Sequence, residues 1–386
     1  MSDTDEMGPP PWHTLAGRDY HAPDVYALER ERVFARSWVC VGRGETLPDA
    51  GDFQTTEVAD EPLVVVRGRD GALRAFANVC RHRGTSLLES SGNTGGGIRC
   101  PYHAWVYSPE GALIGTPNVH TDDGVDRERL SLWEVPLQEW GGFAFVNLDG
   151  RARPLAEAIA DEPDSPDQLE RYDVGSLRIG ACREYNVAAN WKIVVENYHE
   201  CLHCPTVHPE LVRIVPLYRS GEVEEEGQVL GNSMGEGLTS FTATGTSGLP
   251  SLPGLTGEDV HTFYGVYVFP NLILNYHSET VNVVTMHPLG PERTRVVSEF
   301  LFDPSTIAAE AFDPSEVVEF RDLVARQDWA VCERAQRGVR SRFYEHGVYP
   351  RQEKWIAAMN RRYLEAMRDP VSRGSGKGKK AEGNTP

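Results

Sequence analysis

Two clusters of metal-ligating side chains lie more than a hundred positions apart in this chain. The first is Cys80-Arg81-His82, followed after seventeen residues by Cys100-Pro101-Tyr102-His103. Two thiolates and two imidazoles in paired short spacings make a metal site, and two metals suit the set. A structural zinc accepts them in tetrahedral geometry. A 2Fe–2S cluster of mixed ligation places both Cys on one iron and both His on the other. Zinc fingers pair Cys with Cys and His with His. Here each short loop donates one of each, as Cys-x-His and Cys-x-x-His, and the iron cluster is the better reading. Gly84, Pro101 and Gly95-Gly96-Gly97 suit tight loops whose backbone N–H groups point at sulfide.

The second cluster begins with NWKIVVENYHEC from Asn190 to Cys201 and runs on to His203 and His208. Asn190 is a good N-cap, so a helix is expected there, ending before Pro205. Glu196 and Glu200 then share a face at i, i+4, with His203 one turn on and His208 bent back by the turn after Pro205. Two imidazoles and a carboxylate hold ferrous iron while leaving positions open for oxygen and substrate. Taken alone, the pattern equally describes the solvated face of an amphipathic helix. Beside an electron-storing cluster the iron reading gains weight, because such a cluster needs somewhere to deliver electrons.

With these residues the chain resembles the Rieske non-heme iron oxygenases. Their Cys-x-His-Arg-Gly and Cys-x-x-His signature, with an aromatic shortly after, reads here as Cys80, His82, Arg83, Gly84, Cys100, Tyr102, His103 and Trp105. Their Asn-Trp-Lys, acidic residue and two spaced His read as Asn190-Trp191-Lys192, Glu200, His203 and His208. The resemblance implies a 2Fe–2S cluster on Cys80, His82, Cys100 and His103, and a mononuclear Fe(II) on His203, His208 and a downstream Asp. That Asp is assigned to Asp328 by the stretch QDWAVCE with Gln336-Arg337-Gly338 following; Asp322 is the nearest competitor. It also implies O2 as cosubstrate and an α+β fold: a small all-β Rieske domain, then an antiparallel-sheet, helix-grip catalytic domain. A head-to-tail homotrimer is implied too, in which a catalytic acidic residue, matched here by Glu200, bridges a His of each site. No flavin or nicotinamide fingerprint is evident, so electrons from NAD(P)H are expected through a separate flavin/iron–sulfur reductase.

Glu at position 200 and the stretches ENYHECLHC, HPEL, FPNLILN and QDWAVCERAQRG look closest to the glycine betaine, carnitine and choline oxygenases. Monooxygenation of a quaternary ammonium compound, by oxidative N-demethylation or hydroxylation, is the expected reaction. The alternative is ring dihydroxylation of an aromatic acid. Quaternary ammonium groups are held by aromatic faces, worth about 0.5–2 kcal/mol per contact. Phe263, Tyr267 and Phe269 alternate onto one face of an expected strand, and Tyr276 follows on the next. They are the candidate cage, although ordinary core aromatics give the same pattern.

The elements that position these residues follow from composition and periodicity. Residues 1–36 read as an arm plus a helix from Val25 to Arg36, with Asp24 as its cap. Residues 37–150 hold short β runs punctuated by Gly, Pro and Asp, with both Cys/His loops among them. Residues 151–172 form a linker, and 173–370 the catalytic domain. Strands are expected at Leu177–Ala188, Thr262–Phe269, Leu272–Tyr276, Thr280–Pro288 and Arg293–Phe302, and a long helix from Ser315 to Arg340 carries Asp328. The Gly-, Ser- and Thr-rich stretch 211–258 reads as a mobile loop near the entrance, and 371–386 as a disordered tail.

A length of 386 residues suits two well-buried domains. The second ligand set argues against a stand-alone electron carrier. A net charge of −19 opposes nucleic acid and anionic membranes, and offers acidic surface to a basic redox partner. There is no membrane-length apolar run and no signal-peptide pattern, so a cytoplasmic protein is expected. Of seven Cys, the five outside the cluster (Cys40, Cys182, Cys201, Cys204, Cys332) are expected as free thiols.

Overall fold

In the N-terminal half, Asp52–Val58, Glu61–Arg67 and Leu73–Ala77 pair antiparallel in a five-stranded sheet. A computed structural model describes residues 8–120, 123–163, 165–223 and 231–368 of the chain. Strand alternation gives this sheet two apolar faces. Val64, Val66 and Phe76 pack with Cys80, Ile98, Cys100 and Trp105. Leu63, Val65 and Ala75 turn the other way, into a core shared with Trp191, Ile193, Met286 and Val296 of the C-terminal half. A smaller sheet of Ile98–Arg99, Val106–Tyr107 and Leu113–Gly115 carries the second Cys/His loop at its first hairpin. The two halves are also joined by polar contacts. Cys40 donates its backbone N–H to Asn271 Oδ1 and accepts from Asn271 Nδ2, both at 2.9 Å and buried.

The C-terminal half is a six-stranded antiparallel sheet. Its spatial order is Arg178–Val187, Arg293–Phe302, Val281–Gly290, Leu272–Tyr276, Thr262–Val268 and Asn232–Ser233. Over it lie the helix Trp191–Tyr198 and the long helix Ser315–Val339, whose Cys332 meets Ile193 and whose Phe320 and Val324 pack with Phe263. The expected strands and long helix therefore form within a few residues of their anticipated ends. The stretch 211–258 is less open than expected, with short helices at Leu211–Ile214 and Pro216–Ser220. Part of it, 224–230, and the tail 371–386 lie outside the described residues. Two features carried no sequence signal that we recognised. The arm strand Trp12–His13 pairs with Val348–Tyr349, and a helix runs from Lys354 to Ala366.

The Asn-Trp-Lys motif has a structural explanation. Asn190 caps the helix by accepting from Lys192 N–H at 2.9 Å, and anchors it by donating to Pro291 O at 2.7 Å. Lys192 is fully buried and ion-paired to the equally buried Glu29, which also accepts from Trp191 Nε1 at 3.0 Å and Tyr363 OH at 2.7 Å. One carboxylate thus ties the N-terminal arm, the helix leading to the second cluster and the C-terminal helix together. Removing one partner of such a pair strands a buried charge, costing about 3–5 kcal/mol, whereas replacing both with apolar groups is far milder. Glu29→Ala is therefore expected to lose roughly that much in urea unfolding, and Glu29→Met with Lys192→Met to recover most of it. Equal loss in both would show that packing, not the ion pair, dominates.

Candidate active site

The two Cys/His loops have the same backbone design. Cys80 N–H donates to Thr85 O and Cys100 N–H to Trp105 O, each at 2.8 Å. Gly84 N–H and Ala104 N–H return to the Cys80 and Cys100 carbonyls at 3.0 and 3.1 Å. Both turns need a left-handed residue at that fifth position, and Gly84 (φ 73°) and Ala104 (φ 57°) supply it. The thiols are buried, at 2% exposure each, while His82 reaches the surface and His103 is half-buried. The imidazoles lie 4.6 Å apart between centroids, edge to face, and His82 stacks on Trp105 at 4.7 Å. Tyr107 OH sits 3.4 Å from Cys80 Sγ and accepts Arg81 N–H at 3.0 Å, so its own proton is directed at the sulfur. Partial desolvation, then the charges of His103 and Arg83, holds His82 below the usual imidazole range, favouring the neutral form that ligates metal. Two buried thiols opposite two paired imidazoles, with a hydroxyl on one sulfur, fit a cluster whose irons differ in ligation.

In the second cluster the helix stops at Tyr198, earlier than expected. Glu196 and Glu200 consequently do not share a helical face. Glu196 turns away to Tyr20 OH and Asn360 Nδ2, at 2.7 and 2.9 Å. A separate turn, Cys204–Val207, starts with Pro205 near its N-terminus and carries His208 at its end. His203 Nε2 lies 3.2 Å from His208 Nε2. Asp328 Oδ1, from the long helix, lies 2.8 Å from His208 Nε2 and 3.3 Å from His203 Nε2. Metal bonds of about 2.1 Å at right angles separate donors by about 3.0 Å, so this triangle fits one face of an octahedron. The far nitrogens are anchored, His203 Nδ1 on Glu200 and His208 Nδ1 on Gln327 Oε1 at 2.7 Å, which leaves both Nε2 atoms for a metal. Burial disfavours a charged His203, but Asp328 and Glu200 outweigh it and take its pKa up to about 9. The site is built to hold positive charge. Asp322 is instead engaged by Tyr185 OH and Arg326, each at 2.7 Å.

These three donors form part of the wall of a cavity of about 270 Å³. Its remaining lining includes Tyr185, Tyr198, Phe263, Tyr267 and Trp329, together with Asn275, Asn282 and Arg321.

Family models place the chain. The Rieske [2Fe-2S] domain matches residues 37–136, and the ring hydroxylating alpha subunit (catalytic domain) matches residues 174–369. The carnitine monooxygenase oxygenase subunit of Escherichia coli (strain K12) is 32% identical over 86% of this chain and 85% of its own length. The chain belongs to the Rieske oxygenase family. Another relative of this oxygenase, the glycine betaine monooxygenase oxygenase subunit of Chromohalobacter salexigens, is 29% identical over 88% of this chain and 82% of its own. A crystal structure of the quaternary ammonium Rieske monooxygenase CntA with L-carnitine superposes with a TM-score of 0.73 at 27% identity, covering 92% of this chain and 96% of that one. Naphthalene 1,2-dioxygenase from Rhodococcus sp. shares the fold, with a TM-score of 0.75 at 22% identity, covering 92% and 94%. No helix among the described residues is long and apolar enough to cross a membrane.

The oxygenase separates the four aromatics of the expected cage. Phe263 and Tyr267 do face the cavity, with Gly265 between them. Tyr276 does not. It pairs in register with Tyr264, whose side chain lies on the opposite face of the sheet, and it packs on Tyr172 at 4.9 Å. Phe269 lies beyond the end of its strand, where alternation lapses, and stacks under the Arg362 guanidinium at 4.6 Å. A further expectation is corrected at the iron-ligand turn. Cys201 and Cys204 are joined as a disulfide, their Cα atoms 4.9 Å apart, because the turn that brings His203 inward also brings these two together. The other five Cys are free. Sequence reading missed Trp329, Asn275, Asn282 and Arg321. Asn275 and Asn282 were detectable as polar residues inside apolar strands, and Arg321 as the residue one heptad before Asp328.

Proposed function

We propose that this oxygenase is the terminal component of a two-part system and that it oxidises a quaternary ammonium compound, most simply by removing an N-methyl group as formaldehyde. The observation that carries this is a cavity with the His203–His208–Asp328 triangle in one wall and aromatic faces in the others, in a chain whose relatives act on carnitine and glycine betaine. Aromatic faces attract an ammonium without hydrogen bonds, as a nitrogen bearing four carbons and no N–H requires. Iron in the two sites supplies electron storage and oxygen activation.

The protein's own part is binding, orientation and charge. Cys80, Cys100, His82 and His103 hold the cluster, and His203, His208 and Asp328 the mononuclear iron. Glu200 accepts from His203 Nδ1 and from the backbone N–H of Leu202 and His203, which fixes the ring's direction. In our reading Glu200 also links the two kinds of site across the subunits of a homotrimer. The acidic chain meets a basic patch on a flavin/iron–sulfur reductase in the cytoplasm, which passes on electrons from NAD(P)H. We assign the cluster domain to 37–150 and the catalytic domain to 173–370, joined by the linker 151–172.

The test is formaldehyde release by chemically reduced protein with O2, a panel of methylated quaternary amines and a set of aromatic acids. Formaldehyde from one amine, matched to oxygen consumed, is the expected result. Hydroxylated or diol product from an aromatic acid, with none from any amine, would overturn the proposal.

A further inference from the structure

Arg321 stands seven residues before Asp328 on the long helix, two turns and about 10.5 Å of rise away on the same face. Both residues line the cavity. Arg321 donates from Nη2 to Asn282 Oδ1 at 3.1 Å, and its guanidinium lies 5.7 Å over the Phe241 ring. The Asn282 amide is held for that task, since its Nδ2 donates to Ser298 Oγ at 2.8 Å and Glu299 O at 3.1 Å. No carboxylate of the described residues pairs with Arg321, and its other nitrogens are not sealed inside the core. The contrast is Arg362, the other arginine of the lining, whose Nη2 donates to Glu162 Oε1 at 2.9 Å.

A guanidinium offers five N–H donors, and a deeply placed one without a counter-charge is costly unless something anionic completes it. Its planar fork matches a carboxylate bidentately. The same charge repels an ammonium, which is drawn instead toward the aromatic faces and the carboxylates of Asp328 and Glu200. The two charged ends of a zwitterion are thereby sorted along one helix face.

Building on the quaternary-amine reading, we propose that Arg321 binds the substrate's carboxylate, so that the compound taken here is a betaine with its trimethylammonium turned toward the His203–His208–Asp328 triangle. Arg321 is a specificity-determining residue, and the enzyme selects trimethylammonium carboxylates over choline-like alcohols and esters.

The test compares γ-butyrobetaine, its methyl ester and choline as substrates of the iron-loaded wild type, Arg321→Gln and Arg321→Lys. The wild type is expected to favour the free carboxylate in kcat/KM by on the order of 100-fold. Arg321→Gln should shrink that to a few-fold, chiefly through KM, and Arg321→Lys should keep part of it. Unchanged cluster spectra and melting temperatures identify folded variants, and the lysine protein serves if the glutamine protein is unstable. Wild-type discrimination retained by Arg321→Gln, or no discrimination in the wild type, overturns the proposal. If no amine is turned over by the wild type, the quaternary-amine reading has failed. Equilibrium binding of butyrate and benzoate then decides the anion site separately: tighter binding to wild type than to Arg321→Gln supports it, and equal binding overturns it.

Discussion

Replacing Asp328 with alanine is expected to abolish turnover, by on the order of 10³-fold or more, while leaving the absorption spectrum of the 2Fe–2S cluster intact. The argument is geometric and electrostatic. Asp328 Oδ1 contacts both His203 Nε2 and His208 Nε2, so its loss opens the triangle rather than loosening one edge. It is also one of the two carboxylates whose proximity favours positive charge at His203. Without it, two neutral imidazoles face an emptied corner and iron has no anionic donor. The check is metal analysis alongside product formation. Loss of the mononuclear iron with retention of the cluster is the expected pair of results. Turnover retained by the alanine protein would remove Asp328 from the iron site.

The other large effect is expected from Cys100→Ser. Its sulfur is buried among Ile98, Trp105 and Tyr107, so a serine there cannot be replaced by water or by a neighbouring thiol as a ligand. Hydroxyl oxygen is a poor substitute for thiolate on an iron–sulfur cluster. The variant should be colourless, and dead when driven by reductant, yet its sheet of Val281–Gly290 and Arg293–Phe302 should remain folded. Substrate binding at the second site, measured by calorimetry, should fall little. A red-brown Cys100→Ser protein with normal turnover would return the first cluster to the zinc reading or to other ligands.

How much of this was legible depends on range. Cys80, His82, Cys100 and His103 lie in two tight loops, so spacing alone points to them as a metal-ligating set. His203 and His208 were nearly as accessible, although the helix that precedes them ends before Glu200 and defeats an i, i+4 reading. Asp328 is 120 residues from His208, a separation over which periodicity carries no information, and only resemblance identified it. The aromatics show the limit more sharply. Alternation correctly grouped Phe263 with Tyr267, failed one residue past Val268 where the strand ends, and could not tell which face Tyr276 takes. That face is set by register with Tyr264, which is a property of two strands and not of one. Cys201 and Cys204 are expected as free thiols from the compartment and from their place in the iron-ligand segment, whereas the turn geometry joins them. The 354–366 helix is amphipathic enough to have been found, but the arm strand at Trp12–His13 is too short for any pattern to reveal.

The apolar cluster that runs from Leu63, Val65 and Ala75 through Trp191 to Met286 and Val296 makes a seam of the boundary between the two halves. The reciprocal bonds between Cys40 and Asn271 lock that seam with buried polar groups from both halves. Exchange of the electron-storing half between relatives, an obvious route to re-tuning such enzymes, therefore cannot be done by cutting at the linker alone. A graft must bring residue 271 and the inward faces of two sheets with it, or it leaves a wet fissure where this protein has a core. Shuffling at this junction is constrained to matched pairs, and the two halves must change in concert even where each works on its own chemistry.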